Sequence, residues 1–289
     1  MPRNYDSQLR IRSVVPDFAA YVDRYRTLSD ETRRAVPHRL DLRYGPSALE
    51  CVDVFLPLSE GRGRPLHVFF HGGYWRAFDK ADYSFVARPI TQSGAVAVIA
   101  NYGLMPAVSM AELLSHCRSA IRWAYGNAPR FGASPDQISV SGHSAGGHIA
   151  SLLHLTSWNE YGLPIDTIKA TVAVSGIYDL GPIIQSFLRS ETGLTEEDVA
   201  LFSPMTWASR GIAPTRSFDL CFGADETDEL RRQSEMFAGV IRGHGVHVDL
   251  RAVPQRHHMS IVLDLGDAGT ELGQLLLDRI FREHGERTK

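Results

Sequence analysis

Cysteine is scarce in this sequence: Cys51, Cys117 and Cys221 are the only three in 289 residues. Three scattered thiols make no disulfide framework, and their spacing matches no metal motif. Each falls in an apolar strand or helix pattern, so buried free thiols in a reducing, cytoplasmic compartment are expected. Long apolar runs are also missing. None reaches the roughly 18–20 residues that span a bilayer, and Met1–Arg12 lacks the apolar stretch of a secretory signal. Neither sign of charge dominates, with 30 Lys and Arg against 33 Asp and Glu. That leaves no electrostatic case for nucleic acid or an anionic membrane as a partner. Repeats, low-complexity segments and long linkers are absent. What is there is 44% hydrophobic, enough to build one large core from residues 1–289 as a single α/β domain. One count stands out, the 12 histidines.

Near the start, Phe18, Tyr21, Val22, Tyr25 and Leu28 recur at helical spacing behind Pro16 and Asp17. This predicts a helix within residues 1–37 that docks on the main body. Strands and helices then alternate. His38–Tyr44 and Leu49–Leu56, joined through Gly45–Pro46, read as a hairpin. Leu66–Phe70, Ala95–Ala100, Gln137–Val140, Ile168–Val174, Ser217–Phe222 and Val246–Val253 read as six further strands. Helices are expected near Ala81–Gln92, Ser109–Tyr125, Gly147–Thr156, Thr227–Arg242 and Gly269–Glu283. Short apolar strands alternating with helices imply a mostly parallel eight-stranded sheet covered on both faces, with the first pair antiparallel. Residues 178–215, with Pro182, Pro204, Pro214, Phe187, Phe202 and Trp207, break the alternation and read as an inserted lid or pocket wall.

Gly142-His143-Ser144-Ala145-Gly146 fits G-x-S-x-G, between an expected strand and an expected helix. A nucleophilic serine on so tight a strand-to-helix turn needs small residues two positions away on each side, and that context makes Ser144 the candidate nucleophile. His71-Gly72-Gly73-Tyr74-Trp75 follows another strand. In an α/β-hydrolase arrangement this loop faces the serine, so the backbone N–H groups of Gly72, Gly73 and Ala145 are the candidate oxyanion donors. His71 reads as a residue shaping that loop, His143 as a prop for the elbow, and His148 as a packed helix residue. In this fold the acid follows the seventh strand and the base the eighth. After the seventh strand, Asp225, Glu226, Asp228 and Glu229 crowd together; after the eighth stand His257 and His258. Spacing alone leaves both choices open. Tyr74, Trp75, Phe187 and Trp207 are candidates for an aromatic substrate pocket.

The chain resembles the kynurenine formamidase (arylformamidase) group of α/β-hydrolases, close to the hormone-sensitive-lipase-like esterases. The resemblance runs over nearly the whole length. It is carried by Tyr5-Asp6, Val15-Pro16-Asp17, Tyr44-Gly45, Val52-Asp53-Val54-Phe55, the His71–Trp75 loop, Gly142–His148, Val174–Leu180, and Glu229 with Arg232-Gln233-Ser234. It implies a Ser144, Glu226, His258 triad, Glu226 standing where animal members carry Asp, with Asp225, Asp228 and His257 as fallbacks. Asn101-Tyr102-Gly103-Leu104-Met105-Pro106 resembles a D-Y-x-L-x-P stretch of the related esterases and implies a loop stabiliser at Asn101. The expected activity is cofactor-free and metal-free cleavage of a small aromatic N-formyl amide of the N-formylkynurenine kind, or else of small aryl or short-chain esters. A homodimer is the one protein partner left open.

Overall fold

The computed structural model describes residues 4–210 and 217–281. The last part of the expected insertion, 211–215, and the end of the expected terminal helix, 282–283, lie outside the described residues. One eight-stranded sheet runs through the molecule in the order β1-β2-β4-β3-β5-β6-β7-β8. The strands are β1 (His38–Arg43), β2 (Cys51–Phe55), β3 (Arg64–Phe70), β4 (Val96–Ala100), β5 (Ala133–His143), β6 (Ile168–Val174), β7 (Ser217–Gly223) and β8 (Val248–Val253). The expected hairpin β1–β2 is antiparallel, β2 is also antiparallel to β4, and every other pairing is parallel. Strands covered on both faces have no polar side to alternate with. Val96, Ala97, Val98, Ile99 and Ala100 of β4 are accordingly all buried.

Twelve helices are described: α1 (Tyr5–Leu9), α2 (Ile11–Val14), α3 (Phe18–Ala35), α4 (Ala87–Gln92), α5 (Met110–Asn127), α6 (Ala145–His154), α7 (Gly181–Ile184), α8 (Leu188–Thr192), α9 (Glu196–Phe202), α10 (Pro204–Ala208), α11 (Asp228–Gly243) and α12 (Glu271–Phe281). The helix expected behind Pro16 and Asp17 is α3, and two short helices not expected from sequence, α1 and α2, precede it; a left-handed Asp17 at φ 55° separates α2 from α3. The continuous helix expected over Ala81–Gln92 is a 3-10 segment, Lys80–Val86, followed by α4. Restarting at Ala87 puts Pro89 in the first turn, where its missing N–H has no helical partner to lose. Residues 181–208 form the four short helices α7–α10, and α9 begins with a reciprocal cap between Thr195 and Asp198. The three cysteines are buried in β2, α5 and β7.

Candidate active site

The elbow is built by glycines whose missing side chains leave room for neighbouring backbone. Ser144 sits between β5 and α6 at φ 57° and ψ −117°, a region in which a residue with a Cβ is strained. A Cβ on Gly142 would lie 2.1 Å from the Gly146 carbonyl, and one on Gly146 would lie 2.0 Å from the Phe70 carbonyl. The strain is held by the sheet: Ser144 N–H donates to the Val174 carbonyl at 2.9 Å, and the Ser144 carbonyl accepts from His148 N–H.

Two more loops meet this serine. His258 Nε2 lies 3.0 Å from Ser144 Oγ, and His258 Nδ1 lies 3.1 Å from Glu226 Oε2. The other Glu226 oxygen accepts from Gly223 N–H at 2.8 Å and from the Ser175 hydroxyl in a short contact. The Glu226 side chain has no exposure at all. A buried carboxylate needs such donors to remain charged. Gly223 also lets the two loops close on each other. A Cβ there would lie 2.1 Å from the Arg256 carbonyl, which already accepts from Asp225 N–H at 3.0 Å. Arg256 in turn reaches both oxygens of Asp264 at 2.9 and 3.0 Å. The fallbacks point elsewhere. Asp228 is exposed and pairs with Arg231. His257 Nδ1 accepts from the N–H groups of Met259 and Ser260, while Tyr21 packs edge-on against its ring at 4.8 Å.

The neighbouring histidines have structural partners. His143 Nε2 donates to the His258 carbonyl at 2.9 Å, and the two rings are 4.7 Å apart. Burial, together with the nearby His258, pushes His143 well below the usual imidazole range, so it stays neutral. His148, expected only as a packed helix residue, is a bridge. Its Nδ1 accepts from Trp75 Nε1 at 3.2 Å and its Nε2 donates to the Phe202 carbonyl at 2.9 Å. Burial lowers it to about 4. It thereby ties the His71–Trp75 loop to α9. His71 stacks on Tyr102 at 4.4 Å and hydrogen-bonds the Gly72 carbonyl at 2.8 Å, in keeping with its loop-shaping role. Asn101 braces the adjoining turn, its side chain accepting from Lys80 N–H and donating to Asp79.

The candidate oxyanion loop is tight and left-handed. Gly73 has φ 110°, Tyr74 φ 50° and Trp75 φ 60°. A Cβ on Gly73 would lie 2.2 Å from the Ala77 carbonyl, and one on Gly72 would lie 3.2 Å from Ser144 Cβ. Ala145 opens α6, so its N–H belongs to the first helical turn, which has no intrahelical acceptor. A cleft of about 570 Å³ leads to this point, and Ser144, His258, His143 and Gly73 line it.

Two of the four expected pocket aromatics line that cleft, Tyr74 and Phe187. Trp75 and Trp207 do not. Trp75 is fully buried against His148. Trp207 bonds the Leu201 carbonyl and lies beneath the Arg118 guanidinium at 5.8 Å. Aromatic content in a segment carries no information about which face the ring turns to. What the sequence did not reveal is the opposite wall, contributed by Leu9, Ile11, Phe18 and Val22 of the N-terminal helices. The clasp is specific. Tyr74 hydroxyl donates to the Leu9 carbonyl at 2.8 Å, Phe187 N–H donates to Asp6 at 2.6 Å, and Tyr25 hydroxyl donates to the Met259 carbonyl. Among the described residues, no group of three or more His, Cys, Asp or Glu side chains is placed to hold a metal ion.

The BD-FAE family model matches residues 52–206. The kynurenine formamidase of Danio rerio is 31% identical over 90% of this chain and 88% of its own length. The chain belongs to the kynurenine formamidase-like α/β-hydrolases. The enzyme of the same name from Drosophila melanogaster is 25% identical over 87% of this chain and 83% of its own length. Esterase B from Lactobacillus rhamnosis has the same fold, with a TM-score of 0.75, 18% identity and 96% of each chain covered. The chain is therefore a hydrolase of amides or esters.

Proposed function

We propose that the protein is an arylformamidase, a serine hydrolase that cleaves an aryl N-formyl amide of the N-formylkynurenine kind through an acyl-enzyme. The observation that carries the reading is the continuous chain from Ser144 Oγ through His258 to the buried Glu226 carboxylate, at 3.0 and 3.1 Å. His258 Nε2 takes the Ser144 proton as Oγ bonds to the formyl carbon. The charge that develops on the formyl oxygen is met by the N–H groups of Gly72, Gly73 and Ala145. His258 passes its proton to the arylamine nitrogen as the C–N bond breaks. Water, deprotonated by the same imidazole, then attacks the formyl ester and releases formate. Glu226 holds the Nδ1 proton and stabilises the imidazolium between these steps.

The shape of the cleft supports a small acyl group and a large aromatic leaving group. Gly72 of the candidate oxyanion loop lies close against Ser144 on one side, and Tyr74, Phe78, Tyr83 and Phe187 line the open side. The names of the curated relatives favour the formamide over the ester. The fold family equally supports esterase activity, and one comparison separates the two. The kcat/KM for N-formylkynurenine should exceed that for simple aryl acetates. An ester preference of about a hundredfold, which is about 2.7 kcal/mol in transition-state binding, would overturn the formamide reading and leave a carboxylesterase.

A further inference from the structure

We infer that His148 is a positioning residue for the reaction, a clamp that sets the candidate oxyanion loop against the nucleophile elbow. The inference rests on the serine hydrolase reading above and holds whether the substrate is a formamide or an ester. His148 and Trp75 are both fully buried, and neither lines the cleft. Any effect they have on the reaction must pass through the loop that carries Gly72 and Gly73.

His148 touches both halves of the candidate oxyanion hole. Its backbone N–H donates to the Ser144 carbonyl at 3.1 Å, which fixes it one turn along the helix that Ala145 opens. Its side chain accepts the Trp75 indole N–H at 3.2 Å. Trp75 needs such a hold. It sits at φ 60°, where a bulky residue is strained and persists only when its surroundings over-determine it. Its carbonyl accepts from Met105 N–H at 2.8 Å, and the turn around it closes through Arg76 and Ala77 N–H to the Gly73 carbonyl, each at 3.1 Å. A shift of Trp75 is thus passed to Gly73 within one turn.

The inserted segment decides which nitrogen faces Trp75. An indole can only donate, so His148 Nδ1 must present a lone pair. A carbonyl can only accept, so the 2.9 Å bond to Phe202 places the ring hydrogen on Nε2. Phe202 ends α9, and its carbonyl has no donor within that helix. Burial keeps the imidazole neutral, so the two bonds together select one tautomer. Without the Phe202 carbonyl, a hydrogen on Nδ1 would face the indole N–H, donor against donor, and the loop would be released.

The test separates the two ring nitrogens. His148→Asn puts an amide oxygen where Nδ1 stands and keeps the acceptor for Trp75. His148→Gln puts an amide nitrogen where Nε2 stands, keeping the bond to Phe202 without that acceptor. Trp75→Phe removes the indole N–H from the other side. Each variant is assayed on the full chain with N-formylkynurenine, p-nitrophenyl acetate and p-nitrophenyl thionoacetate, and melting curves give the folded fraction. His148→Gln and Trp75→Phe should each lower kcat about 10²-fold, the scale of a misplaced catalytic group, with KM within about threefold. His148→Asn should recover kcat to within about fivefold of the unaltered protein. The preference for acetate over thionoacetate reads the hole itself, because sulfur is a larger and weaker acceptor than oxygen. That preference should fall several-fold in His148→Gln and Trp75→Phe, whereas a loss of folded protein lowers both rates equally. The double variant Trp75→Phe/His148→Gln should be no slower than either single one. The same pattern on the acetates with no formamide turnover would support the clamp while refuting the formamide reading. Equal losses in His148→Asn and His148→Gln, an unchanged oxygen-to-sulfur preference, or additive losses in the double variant would overturn it. If a His148 variant does not fold, the oxygen-to-sulfur preference of Trp75→Phe decides alone.

Discussion

Replacing Glu226 with Gln changes one atom, and the structure dictates what that atom does. Glu226 Oε1 receives two donors, Gly223 N–H at 2.8 Å and the Ser175 hydroxyl. In Glu226→Gln the amide oxygen must occupy that position, because an NH2 group cannot accept. The NH2 then faces His258 Nδ1, where the carboxylate stood at 3.1 Å. It can only donate there, so Nδ1 must become the acceptor and the imidazole proton moves to Nε2. Nε2–H now points at Ser144 Oγ, and the lone pair that should take the serine proton is gone. The side chain keeps its volume and its burial, so the fold should survive with a melting temperature within a few degrees. A triad left in the wrong tautomer loses about 10⁴ in kcat, or about 5 kcal/mol of transition-state stabilisation. Steady-state rates on p-nitrophenyl acetate and N-formylkynurenine, measured beside Asp225→Asn and Asp228→Asn, decide the matter. A loss under about tenfold in Glu226→Gln, or an equal loss in Asp228→Asn, would refute the reasoning.

Three further outcomes are expected. Gly146→Ala forces a Cβ to within 2.0 Å of the Phe70 carbonyl, so β3 and α6 must part; a loss of about 1–3 kcal/mol in urea unfolding is expected, together with reduced kcat. Phe187→Ala should raise KM for aryl substrates several-fold, whereas Trp207→Ala, outside the cleft, should leave it within about twofold; equal effects would return Trp207 to the pocket. Finally, burial holds His67 at about 3 and His148 at about 4, and lowers His71 and His143 as well. Each takes up its proton near pH 6.5 in the unfolded chain and only at lower pH in the folded one, so the unfolded state binds more protons and stability falls as the pH drops below 6.5. Between pH 6.5 and 5, His67 and His148 each cost about 1.6 kcal/mol. Chemical denaturation should show this loss well above the carboxylate range, and a flat profile over that window would contradict it.

The legible parts of the molecule are those where local geometry demands a residue type. Ser144 was legible because G-x-S-x-G stood between a strand and a helix, and the reason is visible in the carbonyls that crowd Gly142 and Gly146. The order of strands and helices followed from apolar runs and turn residues, except that α1 and α2 ahead of Pro16 were not foreseen and the helix over Ala81–Gln92 restarts at Ala87. Glu226 and His258 were distinguished from their neighbours by resemblance, since adjacent acids and adjacent histidines look alike to any spacing rule. Long-range contacts left the fainter traces. Ser175 reaches Glu226 across 51 positions, and Gly223 makes room for a carbonyl of the next loop. The N-terminal wall has no motif at all, because Leu9 contributes a backbone carbonyl and Phe18 and Val22 are ordinary apolar positions of an amphipathic helix. Trp75 and Trp207 were misjudged for the same reason in reverse: an aromatic residue near the motif says nothing about the side on which it packs. Part of the histidine excess supports buried polar groups, with His67 held between Ser139 and Ser141 at 2.8 and 2.7 Å and His148 bridging Trp75 to Phe202.

The central claim is that Ser144 is the nucleophile for formamide cleavage. Its most direct test is the turnover of N-formylkynurenine by Ser144→Ala beside the unaltered protein. The account predicts that kcat/KM falls by at least about 10³ with the fold and the melting temperature intact. Retention of more than about a tenth of the activity would contradict it.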